Sequence, residues 1–549
     1  MSRFVDTLVD TAGRSRRGMV TGAPADPVRR SWGQLHEAAR RTAAALVAGG
    51  LAPRQAVAVL AGDPAEVARV VQGTWLAGAS VTMLHQPTPR TDLSVWRDDT
   101  LRVLRMIDAR LVLVGAPFEA MAGVLREQGI PHRMIGDLDG DEGFSVVPAA
   151  EDDAALLQLT SGSTAEPKAV RITHRNIHAN LVDTAAHLEC GDDDVLVSWL
   201  PLFHDMGMVG CLLLPMFTGS DLVMVTPAEF LARPMVWAEL MSRYGGTITA
   251  APNFAYAILA RQLARADAGS LDLSRLKALC NGAEPIDPAT VEGFVAAGAR
   301  FGLRPEAVNC CYGAAESALV ISLSALSDPM LLDTVDALEL EKNGRALPAG
   351  DDHPSGVRRL PMLGAAHPSV AVRVVDDSGA ELGDREVGRL QLRGDSVTRS
   401  YLTEDGPVQA LDDDGWLNIG DEGYLVDGQI VVCGRRKDVI IMGGRNIYPT
   451  DIERAAAGVD GVRDGNVAAV RLMAGDSVAR ESFAVLVESR LVGDPAAEKA
   501  LTDAIASRVI ADVDARPAQI VVLPPGSLPK TPSGKLRRAA ARSLISRRP

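Results

Sequence analysis

An alternation of short apolar runs and amphipathic segments in the first half of the chain most constrains its fold. Residues 55–61, "QAVAVLA", are typical of a buried strand, and residues 65–78 place small and apolar residues on one face of a helix. The same order of strand and helix recurs through 105–135, 153–188 and 194–260. Because strands that alternate with helices assemble into parallel layers, the sequence predicts an α/β fold.

The pattern changes near residue 362, where shorter runs of alternating apolar and polar residues begin. The runs "VAVRVVD", "GRLQLRG" and "GQIVVCG" predict hairpins in a small barrel or meander. A helix from about residue 450 then opens a last compact α/β segment. We expect an N-terminal domain of residues 1–433, a hinge at 434–438 and a mobile C-terminal domain of residues 439–549.

Length and composition exclude several classes of function. A chain of 549 residues that is 47% hydrophobic can bury cores for two or more domains. Its net charge of −14 argues against binding nucleic acid, which calls for a basic surface. The N-terminus lacks the apolar core of a signal peptide, and the most apolar stretch, 206–219, is too short to cross a membrane. Six cysteines without metal-ligand spacing indicate buried thiols, so we expect a cytoplasmic protein with no integral membrane segment.

Lysine is rare in this chain, and its positions are informative. Of 56 basic residues only seven are lysine, and the others are arginine. An ammonium is a compact point charge whereas a guanidinium is a planar fork, so the two are not interchangeable at a binding site. Four of the seven lie in the motif-like stretches described below: Lys168, Lys437, Lys530 and Lys535.

The stretch 157–170, "LQLTSGSTAEPKAV", has the composition of a phosphate-binding loop. It is not a Walker loop, because Pro167 precedes Lys168 where that motif requires glycine. Hydroxyl and backbone N–H groups between a strand and a helix starting near His174 can surround anionic oxygens, and Lys168 can add a cation. An ordinary strand-to-helix turn capped by serine or threonine explains the loop equally well.

Six further stretches follow this loop in a fixed order. Together with it they resemble the adenylate-forming superfamily of acyl-CoA synthetases, luciferases and peptide-synthetase adenylation domains, from about residue 30 onward. The resemblance implies a large N-terminal domain of αβαβα layers plus a small β-barrel, and a small mobile α/β C-terminal domain. The six stretches are "SWLPLFHDMGMVG" (198–210), "NGAEP" (281–285), "YGAAES" (312–317), "NIGDEGYLVDGQIVVCGRRKD" (418–438), "GGRNIYPTDIE" (443–453) and "PKTPSGKLRR" (529–538).

Three features resemble the fatty-acyl-AMP ligases within that superfamily. They are "LPLFHDMG", "GRNIYPTDIE" and the 44 residues 318–361, which exceed what acyl-CoA synthetases place after "YGAAES". Fatty-acyl-AMP ligases carry an insertion there that is thought to hinder the use of coenzyme A. A surface loop of no consequence is the alternative, because such loops tolerate insertion.

The resemblance implies that ATP and Mg²⁺ activate a medium- or long-chain fatty acid to acyl-AMP. The acyl group would then pass to the phosphopantetheine thiol of an acyl carrier protein. Because the chain ends soon after "SGKLRR", we expect that carrier to be a separate polypeptide. The stretches "VVCGRRK" and "PGSLPKTPSGKLRR" favour ligases that feed lipid or mycobactin-like siderophore biosynthesis.

The resemblance also implies roles in binding the nucleotide. One group would hold the β- and γ-phosphates, and the carboxylate of Glu316 would bind Mg²⁺. A second group would surround the adenine and the ribose. The phosphate group is Thr160, Ser161, Gly162, Ser163, Thr164 and Lys168, and the second group is Gly282, Ala283, Glu284, Tyr312, Gly313, Asp421 and Arg435.

By the same resemblance, Lys535 would bridge the acyl carboxylate and the α-phosphate and stabilise charge in the transition state. A solvated basic tail is the alternative for "SGKLRRAAARSLISRRP".

His204 would lie at the mouth between the acyl and nucleotide pockets. Asn253 and Phe254, on an expected helix in "TAAPNFAYAIL", would line an acyl tunnel or belong to plain core. Lys437 would be the hinge residue about which the C-terminal domain rotates.

The chain departs from the family pattern at three alanines. Ala165 and Ala169 stand where the phosphate loop usually has glycine, and they would strain the loop if φ were positive there. Ala315 stands where many members have threonine. Three other functions remain open: an acyl-CoA synthetase, an amino-acid-activating enzyme, suggested by Asp205, and a nucleotide-binding homologue with weak catalysis, suggested by Ala165 and Ala169.

Overall fold

The computed structural model describes residues 1–88, 91–141, 143–160, 167–350, 352–354, 356–473, 481–530 and 536–545, with the backbone alone at Asp464. The chain forms two compact units, and elements are numbered in chain order. The first unit contains residues 1–330, 363–372 and 392–417. The second contains residues 331–362, 373–391 and 418–549.

Two eight-stranded sheets form the frame of the first unit. In the first sheet six neighbouring strands run parallel, and an antiparallel strand lies at each edge. In the second sheet five neighbouring strands run parallel, and three strands joined by antiparallel pairing lie at one side. The first sheet has the spatial order β14 (Val320–Leu323), β13 (Val308–Gly313), β12 (Ala278–Asn281), β11 (Ile248–Ala251), β9 (Val195–Ser198), β10 (Asp221–Met224), β1 (Gly18–Thr21), β2 (Val28–Ser31). The second has the order β20 (Gly406–Gln409), β19 (Ser400–Thr403), β8 (Lys168–Thr173), β7 (Ala154–Thr160), β4 (Ser80–Met83), β3 (Ala56–Leu60), β5 (Ala109–Val114), β6 (His132–Met134).

Helices connect these strands, as the alternating pattern predicts. The strand predicted at 55–61 is β3, whose five residues are all buried, and the helix predicted at 65–78 is α3. Asp63 caps α3, and Pro64 opens it at a position where its missing N–H costs nothing. The helices are α1 (Arg3–Arg14), α2 (Trp32–Ala48), α3 (Pro64–Leu76), α4 (Leu93–Met106), α5 (Met121–Glu127), α6 (His174–His187), α7 (Leu214–Thr218), α8 (Pro227–Ala232), α9 (Met235–Tyr244), α10 (Asn253–Leu263), α11 (Pro288–Gly298) and the π-helix Met206–Leu213.

The phosphate-loop prediction is wrong in one structural detail. The loop does not lead from a strand directly into the helix near His174. It joins β7 to β8, which pair antiparallel, and α6 follows β8. Thr173 supplies the helix cap by accepting a hydrogen bond from the backbone of Asn176. The cap signal is therefore real, but it belongs to the end of β8 and not to the loop.

The second unit contains smaller sheets with helices on them. Its strands pair as β15 with β16, as the sheet β17-β18-β21-β22, as β23 with β24 and as β25-β26-β27. The hairpin predicted from "GQIVVCG" is present as β21 and β22. The elements are β15 (Leu332–Asp336), α12 (Ala337–Asn343), β16 (Val357–Pro361), β17 (Ala371–Val375), β18 (Gly388–Arg393), β21 (Leu417–Val426), β22 (Gln429–Arg435), β23 (Ile440–Met442), β24 (Arg445–Ile447), α13 (Pro449–Ala457), β25 (Val462–Leu472), β26 (Ser482–Ser489), α14 (Pro495–Val513), β27 (Gln519–Leu523) and α15 (Arg538–Arg542).

Residues 318–330 of the predicted insertion belong to the first unit, where β14 pairs with β13, and residues 331–361 are a folded part of the second unit. Its strands β15 and β16 pair antiparallel and α12 follows β15. Apolar side chains from these elements share one buried cluster with β21, β22 and the residues after them. The cluster contains Val335, Leu340, Ala346, Leu360, Tyr424, Val426, Val431, Cys433, Val439 and Tyr448. An apolar core of this kind distinguishes residues 331–362 from a loose surface loop.

Two ion pairs also join residues 331–362 to the segment after β22, and we call these two pairs the clasp. Arg445 lies 2.6 Å from Glu341, and the two side chains are 15% and 5% exposed. Arg358 lies 2.9 Å from Asp451, with 8% and 17% exposed. The clasp and the shared core both span the predicted hinge at 434–438. The predicted division at that hinge stays a prediction.

The described residues contain no helix that is both long and apolar enough to cross a lipid bilayer. All six cysteines are free thiols. Burial raises the pKa of Cys211, Cys310 and Cys433 to about 12, so these thiols stay protonated at neutral pH.

Candidate active site

The predicted site residues of the first unit follow the ends of neighbouring strands. Strands β9, β11, β12 and β13 run parallel, so their carboxyl ends meet at one edge of the sheet. Ligands bind at this edge in open α/β sheets. The residues found there are His204 after β9, Asn253 and Phe254 after β11, Gly282, Ala283 and Glu284 after β12, and Tyr312, Gly313 and Glu316 at the end of β13.

Lys168 and Glu316 form an ion pair although 148 residues separate them in the chain. Lys168 Nζ lies 3.5 Å from Glu316 Oε1, and the side chains are 33% and 16% exposed. Lys168 is the first residue of β8, opposite Thr160 at the end of β7. The residues predicted to hold phosphate and metal therefore meet at one point that solvent can reach.

Thr160 has a side chain suited to a ligand. Its hydroxyl oxygen is buried and, within the part of the chain that the structure describes, has no hydrogen-bond partner. Leaving a buried hydroxyl without a partner costs about 1–3 kcal/mol, so an anionic ligand or the adjoining loop would stabilise it. Four predicted phosphate-binding residues lie outside the described residues, and their roles stay predictions: Ser161, Gly162, Ser163 and Thr164.

Contacts of the backbone hold Glu316 in place. It lies in the 3-10 turn Ala315–Ser317, and its carbonyl oxygen accepts a hydrogen bond of 2.8 Å from the N–H of Thr398. At Gly313 a β-carbon would lie 2.3 Å from the carbonyl oxygen of Leu319. Only glycine fits so close to that carbonyl, and the chain can therefore turn sharply just before Glu316.

Tyr401, which was not predicted from the sequence, completes this cluster. Lys168 Nζ lies 3.9 Å from the centroid of its ring, and its hydroxyl donates a 3.3 Å hydrogen bond to Glu316 Oε1. Burial, and then the charge of Glu316, raise the pKa of Tyr401, so the phenol keeps its proton. Tyr401 reaches the site because β19 pairs with β8, opposite Val170. No local sequence pattern reports a pairing between strands so far apart in the chain.

The donor chemistry at Glu316 suits magnesium. Among the residues described, no group of three histidine, cysteine, aspartate or glutamate side chains could hold a metal ion. Proteins commonly bind Mg²⁺ through one or two carboxylates together with substrate phosphates and water. A single carboxylate beside Lys168 and Thr160 fits that pattern, so Glu316 would hold the ion jointly with a nucleotide.

The predicted adenine-binding segment has a tightly constrained backbone. A β-carbon at Gly282 would lie 2.8 Å from a backbone carbonyl of the neighbouring strand region, which explains the glycine. Ala283 has a φ of +66°, a left-handed conformation that side chains other than glycine rarely adopt and that clusters at functional sites. Glu284 accepts a 2.7 Å hydrogen bond from the backbone N–H of Phe254. Tyr312 is buried beside this segment, at the end of β13.

His204 is paired with its neighbour Asp205 just before the π-helix. Asp205 Oδ1 lies 2.6 Å from His204 Nδ1 and accepts a 2.7 Å hydrogen bond from the N–H of Met206. The N–H of Met206 also lies 3.3 Å from His204 Nδ1, so this ring nitrogen is engaged within the protein. π-Helical segments are rare and often occur at functional sites, and this one starts two residues after His204.

His85 is a second side chain that the sequence analysis missed. Its ring packs edge-on against Phe203, with centroids 5.5 Å apart. Burial, and then the charge of His204, lower the pKa of His85 to about 4, so it is neutral at pH 7. His85 follows the carboxyl end of β4, and that position in a predicted parallel sheet was the available signal.

The predicted acyl-pocket residues have different surroundings. The helix expected over "TAAPNFAYAIL" begins only at Asn253, because the residues before it form β11. Asn253 Oδ1 accepts hydrogen bonds from Asn281 Nδ2 at 3.1 Å and from the N–H of Asp287 at 3.3 Å, so it ties backbone segments together. The ring of Phe254 lies edge-on to Trp199, with centroids 6.3 Å apart. Phe254 thus belongs to an aromatic cluster, and the role of both residues in an acyl pocket stays a prediction.

Three predicted residues lie in the second unit. Asp421 of β21 is buried and lies opposite Arg435 of β22, with Oδ1 3.2 Å from Arg435 Nε. The Arg435 side chain is 57% exposed, and Lys437 lies in the exposed 3-10 turn Arg436–Asp438. The structure therefore pairs the two predicted ribose ligands. Lys535 and Ala165 lie outside the described residues.

Comparison with known proteins decides the family. A family model described as "AMP-binding enzyme" matches residues 12–402. The chain belongs to the AMP-binding enzyme family. This match confirms the predicted membership of the adenylate-forming ligases and the prediction that the protein is an enzyme.

Relatives of this AMP-binding enzyme cover between 72% and 100% of its length. It is 50% identical over 100% of both chains to Rv1013 of Mycobacterium tuberculosis, to which a ligase function is ascribed. It is 34% identical to the long-chain-fatty-acid–AMP ligase FadD32 of Mycolicibacterium smegmatis, over 72% of this chain and 69% of that one. A solved structure from a study of fatty acyl-adenylate ligases of E. coli and L. pneumophila superposes with a TM-score of 0.91 at 28% identity, covering 99% and 97%. The adenylate-forming fold predicted from the motifs is confirmed.

Proposed function

We propose that this AMP-binding enzyme activates a medium- or long-chain fatty acid with ATP and Mg²⁺ and transfers the acyl group to an acyl carrier protein. The observation that carries the proposal is the meeting of Lys168, Glu316 and the hydroxyl of Thr160, which has no hydrogen-bond partner among the described residues. A cation, a carboxylate and a hydroxyl together suit a magnesium-bound polyphosphate. The fatty-acyl part rests on the resemblance to fatty-acyl-AMP ligases.

In the first half-reaction the fatty-acid carboxylate oxygen attacks the α-phosphorus of ATP. A new phosphorus–oxygen bond forms, the bond to the bridging oxygen of pyrophosphate breaks, and pyrophosphate leaves with the electron pair. Lys168 would hold the departing phosphates, and Mg²⁺ held by Glu316 would neutralise part of their charge. Lys535 would stabilise the charge that develops between carboxylate and α-phosphate.

In the second half-reaction the phosphopantetheine thiol loses its proton to solvent and attacks the acyl carbonyl carbon as a thiolate. The thioester bond forms, the bond between carbonyl carbon and phosphate oxygen breaks, and AMP leaves. His204 would lie near the acyl carboxylate, and its Nδ1 is already engaged by Asp205, which leaves Nε2 for the substrate.

The contacts of Asp205 disfavour the amino-acid-activating alternative. An aspartate can bind the ammonium group of an amino-acid substrate only if its carboxylate is available to that ammonium group. Asp205 is 15% exposed, and its Oδ1 already interacts with His204 Nδ1 and the N–H of Met206. A fatty acid has no ammonium group that needs the Asp205 carboxylate, so the pocket suits a fatty acid better than an amino acid.

The clasp disfavours the acyl-CoA synthetase alternative. For thioester formation, with coenzyme A or with a carrier, the family resemblance implies that the "MGGRN" region, which contains Arg445, enters the site when the C-terminal domain rotates. Arg445 is bound to Glu341, and Arg358 is bound to Asp451, so rotation at the hinge would break buried ion pairs. A carrier protein could offset this cost through contacts across its surface that free coenzyme A lacks.

We infer a cytoplasmic location and a product destined for lipid or mycobactin-like siderophore biosynthesis. The six free thiols support a reducing compartment. The pathway rests on the resemblance of "VVCGRRK" and "PGSLPKTPSGKLRR" to the ligases of such pathways.

The test supplies purified protein with ATP, Mg²⁺ and a C8–C16 fatty-acid series, together with coenzyme A or a holo-acyl carrier protein. Mass spectrometry then identifies the products. We expect acyl-AMP that accumulates with coenzyme A and is consumed by the carrier. The Glu404→Gln variant serves as control, because Glu404 pairs with Arg102 on the surface of the first unit. Efficient acyl-CoA formation by the wild type would show that the enzyme is a synthetase.

A further inference from the structure

We infer that Tyr401 is a positioning residue that lets Lys168 and Glu316 separate when nucleotide binds, an inference that rests on the proposed function. Three groups meet at one atom, Glu316 Oε1. Lys168 Nζ lies 3.5 Å from it and the Tyr401 hydroxyl 3.3 Å from it. The same ammonium lies 3.9 Å from the centroid of the Tyr401 ring. Tyr401 therefore contacts both members of the ion pair through different parts of one side chain.

The ion pair has to open for catalysis. Lys168 is needed by the phosphates and Glu316 by the metal, yet in the structure they bind each other. If the pair simply parted, each charge would lose its partner in a half-buried place, which is costly. The ring face of Tyr401 gives the ammonium a second favourable contact, and the hydroxyl keeps a hydrogen bond on the carboxylate. Each charged group therefore keeps a favourable contact with Tyr401 while the ion pair opens.

The strand that carries Tyr401 is well anchored. β19 lies between β20 and β8, so Tyr401 faces Val408 on one side and Val170 on the other. The hydroxyl of Thr398, three residues earlier, donates a 2.7 Å hydrogen bond to the carbonyl of Arg171. Because both neighbouring strands fix this backbone, Tyr401 can stay in place when Lys168 or Glu316 moves.

Two substitutions separate the two contacts of Tyr401. Tyr401→Phe keeps the ring beneath Lys168 and removes the hydrogen bond to Glu316. Tyr401→Leu removes both. We expect the half-saturating Mg²⁺ concentration for acyl-AMP formation to rise about five- to thirty-fold in both variants, because Glu316 loses a charge-assisted hydrogen bond. We expect the affinity for metal-free ATP to fall about three- to thirty-fold in Tyr401→Leu and less than about two-fold in Tyr401→Phe.

The experiment combines three measurements on the full chain. Isothermal titration calorimetry with ATP in EDTA reports the contact with Lys168 without turnover. A magnesium titration of acyl-AMP formation reports the contact with Glu316. Thermal unfolding detects damage to the fold. The matched control is Tyr244→Leu, because Tyr244 is also half-buried and carries Arg243 over its ring at 5.4 Å on α9.

The predicted split between the two variants would establish the inference. Wild-type values of ATP affinity and magnesium requirement in both variants would overturn it. Equal losses of affinity for metal-free ATP in both variants, together with a lower melting temperature, would also overturn it, because they indicate a merely structural role. If the wild type binds ATP but forms no acyl-AMP from any acid, the proposed function fails. The calorimetric comparison of Phe with Leu still tests the contact with Lys168 in that case.

Discussion

The ion pair at the candidate site and the ion pairs of the clasp differ in nearly every physical respect. Lys168 and Glu316 lie 3.5 Å apart with 33% and 16% of their side chains exposed. Arg445 and Glu341 lie 2.6 Å apart with 15% and 5% exposed, and Arg445 also donates to the carbonyl of Val513. A long, solvated pair exchanges partners at low cost, whereas a short, buried one is costly to break. The difference supports the proposed roles of the two places, a nucleotide site at Lys168 and Glu316 and a junction that stays closed at the clasp.

The largest expected effect follows from breaking the clasp on one side. Arg445→Met leaves the Glu341 carboxylate buried without its partner, so we expect the free energy of unfolding of the second unit to fall by about 3–5 kcal/mol. Urea denaturation monitored by circular dichroism measures it. The double variant Glu341→Leu/Arg445→Met should recover most of the loss, because a pair of apolar residues needs no counter-charge.

The control for this prediction is an exposed pair of the same unit. Lys499 and Asp503 lie on α14 with 75% and 67% exposed, so Asp503→Asn should change the unfolding free energy by less than about 1 kcal/mol. Equal losses in Arg445→Met and Asp503→Asn would show that the clasp contributes no more than a surface pair.

At the candidate site we expect a large loss of activity and little loss of stability, whereas at the clasp we expect a large loss of stability. Glu316→Gln should lower the rate of acyl-AMP formation by about 10²- to 10³-fold, the usual effect of removing one electrostatic group from a transition state. It should change the unfolding free energy by less than about 1 kcal/mol, because the pair with Lys168 is partly solvated. Pyrophosphate release and thermal unfolding measure the two quantities. Retained activity with loss of stability would assign Glu316 a structural role instead.

The pH dependence of the unfolding free energy tests the buried position of Glu341 in the clasp. Burial raises the pKa of Glu341 above its usual value of 4.5, and Arg445 offsets only part of that effect. A carboxyl whose folded pKa is raised binds more protons in the folded state, so its contribution to stability is present below pH 4.5 and lost as pH rises through the folded pKa. We expect the unfolding free energy of wild type relative to Glu341→Gln to decline over that window. A rise over the same window would contradict the assignment.

The smallest expected effect concerns an alanine in the phosphate-loop region. Ala169 stands where the family usually has glycine, but its backbone is β8, paired with Leu159, and it is fully buried. The strain expected for a positive φ therefore does not arise at this position. Ala169→Gly should lower the unfolding free energy by about 0.5–1 kcal/mol through backbone entropy and leave kcat unchanged. A large gain in kcat would mean that the alanine impairs the loop.

The sequence predicted the parts of the fold that depend on local periodicity. Strand β3 and helix α3 have clear patterns of burial, so both were predicted close to their bounds. Strand β8 was missed because "KAVRIT" is short and is followed at once by the capping signal of α6. The sequence predicted extra residues at the insertion but did not predict the elements β15, α12 and β16. These elements are stabilised by packing against β21 and β22, which the local sequence does not report.

The candidate site shows the same division between local and long-range information. Lys168 and Glu316 were found because each lies in a recognisable motif, although 148 residues separate them. Tyr401 and His85 were missed because neither lies in such a motif. Tyr401 reaches the site only through the pairing of β19 with β8, and His85 reaches Phe203 through the order of strands in the sheet. Such contacts arise from strand pairing, which one sequence does not encode locally.

The most direct test of the central claim measures acyl-AMP and acyl-CoA formed by the wild type and by the double variant Glu341→Gln/Asp451→Asn, with ATP, Mg²⁺, a C12 fatty acid and coenzyme A. We expect acyl-AMP to accumulate with the wild type. We expect acyl-CoA to appear with the variant, because both ion pairs of the clasp are weakened. Efficient acyl-CoA formation by the wild type would contradict both the acyl-AMP ligase assignment and the role of the clasp.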